Sequence, residues 1–278
     1  MLANLNDVLK PAQTGKYAVG LFNATDSDML EAVIGAAEEL RAPVIVGTAE
    51  VLLPYGELNL IAPGLVAAAK RASVPVVVHY DHGLTYERTL EALRLGFTSV
   101  MFDASARPLA RNLAETAEIV KIAHAFGATV EGEIGHVGEA AKGDETLADM
   151  YTTPEEARLF LAATGVDALA VAIGSAHGVY KKKPMLNVKR LAEIRAMVDA
   201  PLVLHGGSGL SDDDFRSTIR EGIAKVNVFT DLCLAGDAAM AEGLERKLGY
   251  LETRNLKVAK IREAVMAKMR VFGCTGRA

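Results

Sequence analysis

The chain has 278 residues, half of them hydrophobic, a formal net charge of -5 at pH 7 and no tryptophan. Acidic and basic residues are interspersed and no basic stripe carries aromatics, which argues against a nucleic-acid partner. No apolar run approaches the roughly 20 residues that span a bilayer, and the start MLANLNDVLKPAQ lacks the basic, apolar and small-residue parts of a secretory signal, so a cytoplasmic protein without a membrane partner is expected. Cys233 and Cys274 lie far apart, outside any CxxC spacing, and read as reduced thiols.

Taken in chain order, a helix is expected near residues 4–13, and short β-branched apolar runs then alternate with helical patterns. YAVGLF (from Tyr17) precedes MLEAVIGAAEELR, PVIVG (Pro43) precedes APGLVAAAKRA, and VPVVVHY (Val74) precedes YERTLEALRLG. SVMF (Ser99) precedes LARNLAETAEIVKIAHAFG, ATVEGEI (Ala128) precedes TPEEARLFLAATG, and ALAVAIG (Ala168) precedes VKRLAEIRAMV. PLVLHGG (Pro201), DDDFRSTIREG and KVNVF (Lys225) follow, with further helices from Leu232 onward. Strands that are apolar at consecutive positions belong to a sheet covered on both faces, as parallel β/α units produce. Eight such units without a polar linker indicate one closed (β/α)8 TIM barrel, α/β in class, filling 1–278 as a single domain. A doubly wound open sheet is the alternative, disfavoured by the count of eight.

A barrel of this kind carries its chemistry at the C-terminal ends of its strands. The reactive residues do follow the apolar runs: Asn23, Thr48, Asp81 with His82, Asp103, Glu133, Ser175 with His177, His205, and Asn227 with Thr230 and Asp231. The opposite ends carry mostly Pro, Ala, Gly and Ser. That asymmetry points to an enzyme.

Three of the six histidines, His82, His177 and His205, stand just past strand ends with glycine beside them, in DHG, AHG and HGG. Taken singly, each reads as a structural or surface residue. Together, on one barrel face, they match three imidazole ligands with an open position, for Zn2+ or another divalent transition metal. His124 reads as a surface or packing residue, His79 as one that orients or packs, and His136 as an outside candidate for substrate contact. The element HGGSG, with Gly206, Gly207 and Ser208, precedes the helical stretch SDDDF. Its freed backbone amides would suit a single phosphate monoester, since the acidic residues behind it disfavour a polyphosphate.

Nearly the whole chain resembles the class II, zinc-dependent ketose-bisphosphate aldolases. The resemblance rests on FN at 22–23, APVIVGT, VHYDHG, GFTSVMFDAS, VEGEIGHVG, TGVDALAVAIGSAHGVY, PLVLHGGSGL and GIAKVNVFTDL. It runs closest to the tagatose- and fructose-bisphosphate branch. It implies His82, His177 and His205 as zinc ligands and Asp81 as the general acid/base for the aldehyde half of the substrate. It also implies a phosphate site for dihydroxyacetone phosphate at Gly178, Gly206 to Ser208 and Asn227 to Thr230, with a monovalent cation nearby. Asn23 and Thr48 join the substrate-binding set, and a homodimer or homotetramer is implied. Asp103 and Glu133 read as groups behind the ligands, or as an alternative metal position.

The chemistry agrees with these residue types. Cleaving a carbon–carbon bond beside a ketone leaves an enediolate, whose charge a chelated divalent cation spreads without a Schiff-base lysine. A carboxylate beside a cationic site has a lowered pKa, so Asp81 is expected to be ionised. One departure stands out. The family places a glutamate on the loop after the fifth strand, to move the proton of dihydroxyacetone phosphate, and this chain has Ala141 at the usual offset. Glu139 is the nearest substitute, followed by Glu145. KKKP from Lys181 to Lys183 reads as a solvated charge run that also suits a distal phosphate. Three functions remain open, ranked in order: a metal-dependent aldolase acting on a phosphorylated sugar, a zinc hydrolase on the same barrel, and a catalytically weakened phospho-metabolite-binding protein.

Overall fold

A computed structural model of the chain describes residues 1–138, 151–178, 180 and 184–278. The eight expected runs become the parallel strands β2 (Val19–Asn23), β3 (Val44–Ala49), β4 (Val76–Gly83), β5 (Ser99–Phe102), β6 (Thr129–Ile134), β7 (Ala168–Val171), β8 (Leu202–Leu204) and β9 (Ile223–Val228). They pair in sequence order, β2 also pairs with β9, and β4 with β5, so the sheet closes into a TIM barrel. A two-residue strand, β1 (Leu2–Ala3), adds to β4 through Leu2↔Val76. It is too short to show any periodicity in the sequence.

Outside the sheet lie α2 (Ser27–Leu40), α3 (Leu58–Arg71), α4 (Tyr86–Arg94), α5 (Leu109–Ala125), α6 (Pro154–Thr164), α7 (Val188–Met197) and α8 (Asp212–Arg220). Two further helices, α9 (Thr230–Glu245) and α10 (Tyr250–Phe272), follow β9 and pack on each other, and α10 also covers α2 and β2. α3 starts four residues before the expected apolar stretch, because Leu58 and Ile61 are buried and extend its inner face. A short 3-10 helix, Glu50–Tyr55, follows β3.

The N-terminal helix α1 (Leu5–Gly15) begins with a capping box in which Asn4 and Asp7 exchange side-chain-to-backbone hydrogen bonds. Such a cap is worth about 1 kcal/mol. The helix packs against β2, β6 and β9, and the amide of Leu5 donates to the Thr129 hydroxyl at the start of β6. Leu5 and Leu9 are fully buried there, each contributing roughly 1.5–3 kcal/mol by leaving water. The closed end of the barrel is therefore apolar, and the polar side chains gather at the other.

Strand pleating decides which side chains enter the barrel. Residues two apart share a face, so His79 and Asp81 on β4, Glu131 and Glu133 on β6, and Lys225 and Asn227 on β9 all turn inward. Their neighbours turn outward into the apolar layer beneath the helices, where the Tyr80 ring meets Phe97 edge-on at 6.0 Å. No helix among the described residues is long and apolar enough to cross a membrane.

Candidate active site

Consecutive strand residues normally point to opposite faces, which would place either Asp81 or His82 outside the barrel. The register of β4 against β5 prevents this. Tyr80 faces Val100 and Gly83 faces Phe102, so one extra residue bulges between them. His82 takes a left-handed backbone conformation, φ +43°, unusual for a residue with a Cβ. Both side chains then reach the barrel mouth.

His82, His177 and His205 converge there, with one ligand atom from each lying within 4.8 Å of the others. The ring centroids stand 4.6 Å (His82 to His205), 4.9 Å (His82 to His177) and 5.7 Å (His177 to His205) apart. Two of the rings are held from behind. His82 Nδ1 lies 2.8 Å from Asp103 Oδ2, and His205 Nε2 lies 2.8 Å from Glu131 Oε1, which leaves His82 Nε2 and His205 Nδ1 facing each other at 2.8 Å. His177 Nε2 is buried without a hydrogen-bond partner among the described residues. Burial and the neighbouring His82 and His205 push His177 down to about 3, so its imidazole is neutral with a lone pair to offer. An orphaned nitrogen and two rings braced on their far sides, all turned toward one point, fit a divalent transition metal.

Asp81 lies beside this cluster, 3% exposed, and accepts from Asn23 Nδ2 at 2.8 Å and from Asn227 Nδ2 at 3.0 Å. Burial alone would raise its carboxyl, but His82, Lys225, His205 and His79 outweigh burial and hold it well below the usual carboxylate range. Asp103 is lowered too, its His82 and Ser105 hydrogen bonds outweighing burial. Glu133 goes the other way. Burial, reinforced by the Asp103 charge, lifts it to about 8, its Oε1 accepts from the Val137 amide at 3.0 Å, and its Oε2 meets no hydrogen-bond donor of standard geometry among the described residues. His82, Asp103 and Glu133 form a second group of possible metal ligands.

A cavity opens over the cluster. It is lined by Asn23, Asp81, His82, His177 and Asn227, by Gly178 and residues 206–208 and 228–230, and by Ala49, Val51 and Leu52. Gly206 has φ +66°, and a Cβ there would lie 2.3 Å from the Ala176 carbonyl oxygen, so the loops after β7 and β8 meet at a distance only glycine permits. Ser208 Oγ accepts from the amides of Phe229 and Asp231, both at 3.3 Å, at a start of α9 that has no side-chain cap. The N-terminus of this 16-residue helix, the end whose dipole favours negative charge, borders the cavity through Phe229 and Thr230.

The family model for class-II fructose-bisphosphate aldolase matches residues 3–277. The chain belongs to the class-II fructose-bisphosphate aldolase family. This aldolase, a lyase, is 41% identical over 307 aligned residues to a fructose-bisphosphate aldolase of Thermus caldophilus, with each chain fully covered. Its structure superposes on the crystal structure of the YdjI aldolase of Escherichia coli K12 with a TM-score of 0.91, at 36% identity and full coverage of both chains. It also superposes on a putative fructose-1,6-bisphosphate aldolase from Coccidioides immitis with a TM-score of 0.88, at 30% identity, covering 98% of this chain and 96% of that one.

Most residues read from the sequence of the aldolase meet at this cavity. Thr48 does not. It is fully buried with its hydroxyl unpartnered among the described residues, and the cavity wall is made instead by Ala49, Val51 and Leu52, because the chain turns into the 3-10 helix directly after β3. His136 lies beside Ser105, its Nδ1 3.0 Å from Oγ, in a neighbouring depression. His79 is fully buried with Nδ1 2.8 Å from Ser99 Oγ, and His124 pairs with Asp167 at the surface. Glu139, Ala141, Glu145 and Lys181 to Lys183 lie outside the described residues.

The sequence reading missed Glu131 and Lys225. Lys225 Nζ is fully buried, 2.8 Å from Glu131 Oε2 and 2.7 Å from Asn227 Oδ1. An ammonium only donates, so it fixes Asn227 with its oxygen toward Lys225 and its amide nitrogen toward Asp81. The signal was present: Glu131 and Lys225 precede Glu133 and Asn227 by two residues and so share their inward face.

Proposed function

We propose that the protein is a metal-dependent aldolase that reversibly cleaves a ketose phosphate or bisphosphate, fructose- or tagatose-type, to dihydroxyacetone phosphate and an aldehyde. The observation that carries this reading is Asp81 set beside three converging histidines under a cavity lined by Gly206, Gly207, Ser208 and the start of α9. The relatives named fructose-bisphosphate aldolase support the same reaction class.

In this reading His82, His177 and His205 would hold Zn2+ or another divalent transition metal, braced by Asp103 and Glu131, with Glu133 behind. When bound, such an ion supplies the Lewis acidity that accepts the negative charge developing on the dihydroxyacetone phosphate half. Gly178, Gly206, Gly207, Ser208, Asn227 and Thr230 hold the phosphate, with a monovalent cation beside it. Asp81, ionised at neutral pH, takes the hydroxyl proton from the aldehyde half as the carbon–carbon bond breaks, and returns it in condensation. Asn23 and Asn227 hold its two oxygens and so fix its direction. The carbon that keeps the bonding pair needs a proton from a second acid, a role we assign to Glu139. Residues 1–278 act as one domain, assembled as a homodimer or homotetramer.

The test uses dihydroxyacetone phosphate in deuterium oxide. Exchange at the hydroxymethyl carbon that stops with chelator and returns with zinc supports the reading. A metal-loaded protein that exchanges nothing overturns it and favours a zinc hydrolase or a phospho-metabolite-binding protein.

A further inference from the structure

The left-handed backbone at His82 has to be held in place, and the contacts that hold it come from outside β4. Gly83 accepts from the Asp103 amide through its carbonyl at 2.9 Å, and Leu84 accepts from Arg107 Nη2 through its carbonyl at 2.8 Å. The amides of the same turn go to one side chain. Glu50 Oε2 accepts from Leu84 N at 2.8 Å, from Thr85 N at 3.2 Å and from the Tyr80 hydroxyl at 3.3 Å, while Oε1 accepts from Thr85 Oγ1 at 2.9 Å. One carboxylate thus gathers four donors from both sides of the bulge. Glu50 is the first residue of the 3-10 helix whose neighbours Ala49, Val51 and Leu52 form the cavity wall.

Leu84 follows His82 by two residues, so the turn that Glu50 holds is continuous with the left-handed backbone that aims the imidazole. A carboxylate satisfies several converging N–H and O–H donors at once, whereas alanine would leave the two amides to water and the turn free to relax toward ordinary backbone angles. We propose that Glu50 is a positioning residue, which locks the 82–85 turn so that His82 is presented to the metal and ties that ligand to the cavity wall. This rests on the metal-dependent reading above.

The test compares Glu50→Ala, Glu50→Gln and Glu50→Asp in the full chain. Zinc affinity of the metal-free protein is read by chelator competition, and ligand geometry by the visible absorption of the cobalt-substituted form. Glutamine can accept both amides on its carbonyl oxygen and donate to Thr85 Oγ1, so Glu50→Gln should stay within about twofold of wild type. Glu50→Ala should bind zinc about tenfold or more weakly, in the range seen when a residue supporting a ligand is lost. Its cobalt spectrum should also be altered. Glu50→Asp, shorter by one methylene, should fall between and serves if the alanine variant does not fold. Tyr55→Ala, on the exposed side of the same 3-10 helix, should leave zinc affinity unchanged. Equal zinc affinity and an unchanged cobalt spectrum in the folded Ala or Asp variant overturn the proposal. A wild-type protein that binds neither metal overturns the metal-dependent reading itself.

Discussion

His82 Nε2 stands 2.8 Å from His205 Nδ1, a distance at which two bare lone pairs repel, so a hydrogen or a cation lies between them. In the metal-free protein it is the His82 proton. Burial lowers this imidazole, but the charges of Asp81 and Asp103 outweigh burial and carry it to about 10. A metal entering the cluster must displace that proton. Zinc titration at pH 8, followed by calorimetry in two buffers of different ionisation enthalpy, should therefore release about one proton per ion bound. Uptake without proton release would show that the ion binds elsewhere.

Asp81→Asn keeps the shape of the side chain and removes its ability to accept a proton. Cleavage should fall by about 10²–10⁴-fold, the usual worth of a positioned acid/base. Zinc content should be unchanged, and hydrogen exchange of dihydroxyacetone phosphate should fall far less, since Asp81 is assigned to the aldehyde half. Equal loss of both activities would move Asp81 from proton transfer to general site assembly.

Glu133 binds its proton more tightly folded, at about 8, than in the unfolded chain, where it has the ordinary glutamate value of 4.5. Between those values the folded protein keeps a proton that the unfolded chain has released, so this group's contribution to stability falls as pH rises from about 4.5 to about 8. The metal-free Glu133→Gln variant should lose that part of the pH dependence. Urea unfolding at pH 5 and pH 8 should show wild type losing more stability than the variant, by on the order of a few kcal/mol. Identical losses would place Glu133 near the ordinary carboxylate value.

Removing Lys225 would leave Glu131 charged and buried beside the imidazoles of His205, at 2.8 Å, and His79, at 4.0 Å. Lys225→Met should destabilise the fold by about 3–5 kcal/mol, and adding Glu131→Gln should recover most of that loss by deleting the stranded charge. Chemical denaturation of the single and double variants decides this. A double variant no more stable than Lys225→Met would mean that the ammonium acts mainly through Asn227.

The sequence by itself determined the eight apolar runs, and with them the barrel, because parallel strands buried on both faces leave consecutive β-branched residues and short glycine-bounded turns. It also placed the reactive residues at one end of those runs. Period-two alternation in EGE and KVN also puts Glu131 and Lys225 on the inward face. Tertiary structure alone decided the rest. The bulge that turns Asp81 and His82 to the same side arises from the pairing of β4 with β5, a relation between segments some 20 residues apart that neither segment encodes locally. Thr48 falls behind the wall while Ala49 and Leu52 line it, because the chain leaves β3 for a 3-10 helix at that point. The brace from Glu50 to residues 84 and 85 likewise exists only once β3 and β4 lie side by side. Local periodicity tells which face a side chain takes, whereas register and loop path decide which side chains meet, and those depend on contacts between distant parts of the chain.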